Sequence, residues 1–178
     1  MNLDLESFNQ IINKKKKRSA PGNDNITYDM LNFFKNDTKI SIVDQLNKIW
    51  KECYLPMSLK TITVIAIPKP GKDQSSIEGK RPISLVPTLT KIMNSAVLNK
   101  MIKFIDEKNI VPATSFGFRK NTSTVTCTNF LINTIKENKR KNYITAVIFM
   151  DKANAFNAVN VDTLLDIMEN NRFPAEIT

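Results

Sequence analysis

An apolar run closes on an acid where residues 146–151 read Ala-Val-Ile-Phe-Met-Asp, and Phe156 follows a short way on. A carboxylate at the end of a strand stands on a rigid element at the margin of a core. Hard cations such as Mg²⁺ take oxygen ligands of this kind, and phosphoryl-transfer enzymes clamp the attacking and leaving oxygens between two such ions. Taken alone, Asp151 has a plainer account, a strand-end acid capping the next turn, and that account is the more ordinary. A second group lies in "PKPGKDQSSIEGKRPISL", where Lys69, Lys72, Lys80 and Arg81 cluster about one loop. Lysine supplies a mobile point charge and arginine a rigid two-pronged fork, a pair suited to a triphosphate. A solvated hairpin tip carries lysines too.

Two further stretches are basic. Lys14, Lys15, Lys16, Lys17 and Arg18 form an unbroken run that suits a nucleic-acid backbone, a nuclear address or a solvated helix end. In "SFGFRKNTST" (115–124), Phe116 and Phe118 stand beside Arg119 and Lys120. Such aromatics either stack on bases while the cations hold phosphate, or plug the core. The sequence has no histidine, which removes imidazole acid–base catalysis, Ser-His-Asp triads and His zinc sites together. Its two cysteines, Cys53 and Cys127, are far apart in helix-like contexts and are expected to be buried free thiols. Any chemistry therefore rests on carboxylates, Lys, Arg, Ser/Thr or Tyr, with metal.

The elements that must position these groups follow from periodicity. Residues 4–13 place Leu5, Phe8, Ile11 and Ile12 on one helical face. A short helix is expected over 27–35 behind a Thr27 cap, and a longer one over 38–53 behind Thr38, with Ile42, Val43, Leu46, Ile49, Trp50 and Cys53 on one side. "TITVIAIP" (61–68) reads as a buried strand, 69–80 as a polar hairpin tip and "RPISLVP" (81–87) as the returning strand. Helical spacing returns over 88–106, breaks at 111–121 and resumes over 122–138. "YITAVIFM" (143–150) reads as a strand delivering Asp151, and 162–170 as a last helix. Gly22, Gly71, Gly79 and Gly117 all fall between elements, where a left-handed backbone costs glycine least. The result is an α+β chain with few strands and helices packed on small antiparallel sheets.

With 178 residues, 42% of them hydrophobic, a core is expected and wholesale disorder is not. The excess of 26 basic over 17 acidic residues, +9, is spread along the chain and favours polyanionic partners. No apolar run reaches the roughly 18–20 residues of a membrane span, and the N-terminus has no signal-peptide core. An intracellular protein of the cytoplasm or nucleus, without a membrane partner, is expected.

Each stretch alone is unspecific; their order is not. "APGNDNI", "LPMSLKTITVIAIPKPGKD", "RPISLVPTLTKI", "SFGFRKNTST" and "VIFMDKANAFNAV" follow one another as in the reverse transcriptase domain of non-LTR (LINE-type) retrotransposons, which this chain resembles from about Ser19 to Pro174. The jockey-like insect branch is the nearest in flavour.

The resemblance implies a right-hand polymerase: an N-terminal helix and basic run over 1–18, fingers over 19–142 and the opening of the palm over 143–178. It implies Mg²⁺, an RNA template, a DNA primer and deoxynucleoside triphosphates. Asp151 matches the first catalytic aspartate, with the Lys152 backbone carbonyl as an added metal ligand. Arg81, with Lys69 or Lys72, matches the fingertip cations that hold the incoming triphosphate. Phe156 matches the aromatic that excludes a ribose 2′-hydroxyl.

Departures accompany the match. Asn157 stands where the family has an acid, Ser115 where it has glutamine, Leu59 where it has tryptophan and Asn154 where it has a basic residue. The 178 residues contain no Y-x-D-D, so two of the three metal carboxylates expected of the family have no counterpart here. Polymerisation by this chain alone is therefore not expected. The rival expectation is a decayed or co-opted remnant that binds nucleic acid without catalysis, and a third is a remnant whose 143–150 strand lacks sheet partners.

Overall fold

The computed structural model describes residues 2–16, 19–152, 155, 156, 158–175 and 177. They form two compact units, one reaching Ile102 and the other starting at Lys103.

The first unit is built on α1 (Leu5–Lys14), α2 (Tyr28–Phe33) and α3 (Asn36–Glu52). Asp4 starts α1 by accepting the Ser7 N–H at 2.7 Å, and these local bonds hold its carboxyl below the usual aspartate range. Thr27 starts α2 as expected, accepting the Met30 N–H. Thr38 does not start α3: the helix begins at Asn36, and its flanking residue Lys35 makes no side-chain cap bond. The apolar faces meet in a core of Leu3, Phe8, Ile11, Ile12, Tyr28, Leu31, Val43, Leu46, Ile92, Met93 and Ala96. Asn47 on α3 ties down the chain ahead of α1, its amide oxygen accepting from Leu3 N at 2.7 Å and its nitrogen donating to Leu3 O at 2.8 Å.

A one-turn helix, α4 (Met57–Lys60), leads into β1 (Thr63–Pro68), which pairs antiparallel with β2 (Lys80–Leu85) from Thr63 against Leu85 to Pro68 against Lys80. The pairing agrees with the sequence; the burial does not. Every residue of β1 is exposed, because among the described residues the ribbon is a two-stranded sheet with neither face covered. β2 runs through Val86 and Pro87 into α5 (Thr88–Lys108). The start of α5 is bound to three places at once: Thr88 Oγ1 donates to Ile26 O, Thr90 Oγ1 to Leu59 O at 2.7 Å and Lys91 Nζ to Ala20 O at 3.0 Å. Gly22 lies so close that a β-carbon there would sit 2.6 Å from Pro87 Cα, so only glycine fits.

The second unit carries the end of α5, α6 (Thr124–Arg140) and α7 (Val161–Asn170). Ser123 caps α6 and Asn160 caps α7. Burial is slight: Met168 is the buried hydrophobic residue of this unit among those described, and Phe104 packs on Phe173 with ring centres 4.7 Å apart. Both thiols are exposed, contrary to expectation. Cys53 lies beyond the last buried turn of α3 in a left-handed conformation, and Cys127 is on α6, none of whose residues is buried.

Replacing Asn47 with alanine strands two main-chain groups of Leu3. Asn47→Ala is expected to lower unfolding stability by about 1–3 kcal/mol, read from the midpoint of urea denaturation at unchanged slope. An unchanged midpoint would show that the N-terminal segment is held by its apolar neighbours alone.

Candidate functional site

The cationic group comes first. Arg81 lies opposite Ile67 near the loop end of the ribbon, and Lys69 follows the last residue of β1. Between them the loop bonds to itself. Lys69 N–H donates to Gly79 O at 2.8 Å and its ammonium to Glu78 O at 2.7 Å. The Asp73 carboxylate accepts both the N–H and the hydroxyl of Ser75, which hold it below the usual range. A β-carbon on Gly79 would run into the Asp73 carbonyl, so the closure requires glycine there. Hence the three cations differ. Lys69 is partly buried and spent on its own loop, whereas Lys72 and Arg81 are exposed, with no acid at ion-pair distance among the described residues.

The carboxylate lies in the second unit. Residues 144–150 are not a strand, in contrast to the expectation from their sequence. Their start is held by Tyr143 N–H on Asn138 O at 2.9 Å and by Asn138 Nδ2 on Thr145 Oγ1 at 3.1 Å, both reaching back to the end of α6. Beyond that nothing among the described residues pairs with them. Ile144 is 100% exposed, Phe149 85% and Met150 91%. Asp151 is exposed too, and its Oδ1 accepts the N–H of Lys152 at 2.9 Å. Among the described residues no group of three or more His, Cys, Asp or Glu side chains converges. One exposed carboxylate and a neighbouring carbonyl do not make a Mg²⁺ site, so this donor set does not fit the ion by itself. Asn154 and Asn157 lie outside the described residues, as do Lys17 and Arg18; Lys14, Lys15 and Lys16 are exposed.

In the loop that joins α5 to α6 the two aromatics part ways. Phe116 turns inward on Phe130 of α6, with ring centres 5.6 Å apart. Phe118 turns outward, 97% exposed, and its ring meets that of Phe156 edge-on at 6.2 Å and 82°. It does so from a left-handed backbone, φ +58°, although Gly117 is adjacent. For a bulky residue that conformation costs about 1–3 kcal/mol, and the surroundings must impose it. They do: Arg119 Nη1 donates to Pro112 O at 3.0 Å, and Thr122 Oγ1 bridges the carbonyls of Phe116 and Arg119. Lys120 remains exposed. No spacing or residue type in "SFGFRKN" signals the outward turn, because the glycine that would ordinarily mark it is one position early.

The profile of the reverse transcriptase (RNA-dependent DNA polymerase) family matches residues 67–177, a stretch that takes in the hairpin loop and its returning strand, the "SFGFRKN" loop and Asp151. The chain belongs to the reverse transcriptase family. It is 28% identical over 155 residues to the RNA-directed DNA polymerase from mobile element jockey of Drosophila funebris, covering 87% of this chain and 17% of that protein. With the probable RNA-directed DNA polymerase from transposon BS of Drosophila melanogaster it shares 30% over 172 residues, 96% of this chain and 19% of the relative. A probable RNA-directed DNA polymerase from transposon X-element of the same fly is 26% identical over 150 residues, 84% of this chain and 16% of its own length. The chain thus spans less than a fifth of the length of these curated relatives. Lys14–Arg18 precede the region that the reverse transcriptase profile covers, whereas the other candidate residues fall inside it. No helix among the described residues is long and apolar enough to cross a membrane.

Relief of strain at Phe118 is measurable. Phe118→Gly removes little packing and admits the left-handed backbone, so stability is expected to stay level or rise by up to about 1 kcal/mol. Phe116→Ala, which removes a half-buried ring from its place against Phe130, is expected to cost about 2 kcal/mol. Thermal melts of both variants check the contrast; equal losses would show that the two rings are packed alike.

Proposed function

We propose that this chain is the fingers and palm-opening portion of a retrotransposon RNA-directed DNA polymerase, that it works on a nucleic-acid duplex and an incoming deoxynucleoside triphosphate, and that these 178 residues do not polymerise by themselves. The observation that carries this reading is the family match over 67–177, which contains the exposed cations of the ribbon and, after an apolar run, Asp151 in the family's order. In this reading Lys72 and Arg81 hold the triphosphate. Lys69 joins them once its ammonium leaves Glu78 O. Phe156 is the shape filter for the sugar. Asp151 would be one carboxylate ligand of a Mg²⁺ site that this donor set does not complete by itself; the ion's contribution, when bound, would be neutralisation of phosphate charge. The residues here contribute orientation, charge and exclusion; the remaining carboxylates are supplied from outside this donor set.

The alternative is a co-opted or decayed remnant that binds nucleic acid without catalysis. Asn157, Ser115 and Leu59, each a departure from the family's pattern, favour it, and the exposed Lys14, Lys15, Lys16 and Lys120 serve either reading.

Primer extension separates catalysis from binding. The purified chain, given an annealed RNA template and DNA primer with Mg²⁺, is expected to add no nucleotide; extension abolished by Asp151→Ala would overturn the proposal. Binding to single-stranded RNA is expected to weaken steeply with salt. Lys14, Lys15 and Lys16 changed together to glutamine are expected to flatten the slope by about 0.7 for each phosphate that is no longer neutralised. Affinity that is level between low and moderate salt would remove nucleic acid from the partners.

A further inference from the structure

The Phe118 ring contributes nothing to the core and is held outward at the expense of its backbone. Such a residue invites a functional account, because strain persists only where the surroundings over-determine it. Three anchors do so here: Phe116 seated on Phe130, Arg119 on the Pro112 carbonyl, and Thr122 across the Phe116 and Arg119 carbonyls. Together they fix the loop on both sides of Phe118. What the ring meets is Phe156, edge to face, with centres 6.2 Å apart.

Among the described residues Phe156 has little else to hold it. It is 80% exposed, and its carbonyl accepts the Val159 N–H at 3.4 Å, near the limit for a hydrogen bond. A ring that discriminates by shape must be kept in place, because a filter that swings aside admits what it should reject. An aromatic edge against its face supplies that restraint, since the edge-to-face arrangement has a preferred geometry that aliphatic packing lacks.

We infer that Phe118 is a positioning residue for the sugar filter, its ring buttressing that of Phe156 so that discrimination between deoxyribose and ribose depends on both. This rests on the reading of Phe156 given above. Phe118 touches neither substrate nor metal in this account; it acts through Phe156.

Two measurements test it. On the 178-residue chain with phenylalanine rings isotope-labelled, NMR is expected to show cross-relaxation between the Phe118 and Phe156 rings, and a shift of the Phe156 ring signals in Phe118→Gly that Phe118→Tyr largely reverses. Glycine is the informative variant because it accepts the +58° backbone and removes the ring alone. Absence of ring-to-ring cross-relaxation in the parent chain would overturn the proposal outright. The second measurement uses an extension-competent reverse transcriptase carrying these residues and reads the ratio of kcat/KM for a deoxynucleotide to that for the matching ribonucleotide. Phe118→Gly is expected to lower that ratio about three- to tenfold, the worth of one aromatic pair, and Phe118→Tyr to restore it. Phe156→Val is the control for the underlying reading. If Phe156→Val lowers the ratio and Phe118→Gly does not, the buttress is wrong and the filter stands; if Phe156→Val leaves the ratio unchanged, the filter itself is wrong.

Discussion

The first unit depends on the way α5 begins. Within four residues, Thr88, Thr90 and Lys91 reach the loop before α2, the end of α4 and the chain near Ala20. Thr88 and Thr90 are buried, and a buried hydroxyl left without a partner is costly, so each bond is close to obligatory. Gly22 lets the "APGNDNI" loop lie directly on the Pro87 backbone. Since β2 runs straight into this junction, the direction in which the ribbon leaves the helical core is set there. The ribbon has no covered face of its own, so the placement of Lys72 and Arg81 is inherited from two threonines, a lysine and a glycine well away from them.

That dependence explains what the sequence made legible. The helices of the first unit were readable because a 3.6-residue apolar period and a buried face are the same fact: Phe8, Ile11, Ile12, Val43 and Leu46 were placed on the apolar faces and are inside. The ribbon was readable as two strands joined by a polar tip, since pairing between neighbouring segments is local. Its exposure was not, because a run such as "TITVIAIP" states that it suits a buried sheet and is silent about what would cover it. The same gap separates expectation from structure at 143–150, where β-branched and aromatic residues are present and, among the described residues, a partner strand is not.

At the candidate site the differences are subtler and come from hydrogen bonds. Three basic residues near one loop look equivalent in the sequence, yet Lys69 is held by the Glu78 carbonyl while Lys72 and Arg81 are not. The two phenylalanines of "SFGFRKN" are separated by one residue and do opposite things, one packing on α6 and the other standing in solvent. Of the four glycines, Gly71 has a positive φ, while Phe118 takes one without being glycine. Residue type indicates where a left-handed backbone is cheap; the surrounding hydrogen bonds decide where it is imposed.

The unpaired segment before Asp151 bears on metal binding directly. A carboxylate contributes to an ion site in proportion to how well its backbone is fixed beforehand, because ordering it at the moment of binding subtracts from the affinity. Here the backbone is tied at Tyr143 and the Thr145 side chain accepts from Asn138, while from there to Met150 no further pairing is made among the described residues. If Asp151 acts as proposed, strand pairing over 144–150 and Mg²⁺ binding are one linked equilibrium. In that reading a neighbouring strand would strengthen the hold of an ion site completed by other ligands, and by reciprocity such an ion would strengthen the pairing. The exposed apolar side chains at Ile144, Ile148, Phe149 and Met150 add to the same side of the balance, since their burial favours the paired state at about 25 cal/mol per Å² covered. The acid that closes this run thus lacks order as well as fellow ligands: an ordered segment ahead of it would fix its carboxylate, and further carboxylates from outside this donor set would still be needed to complete an ion site.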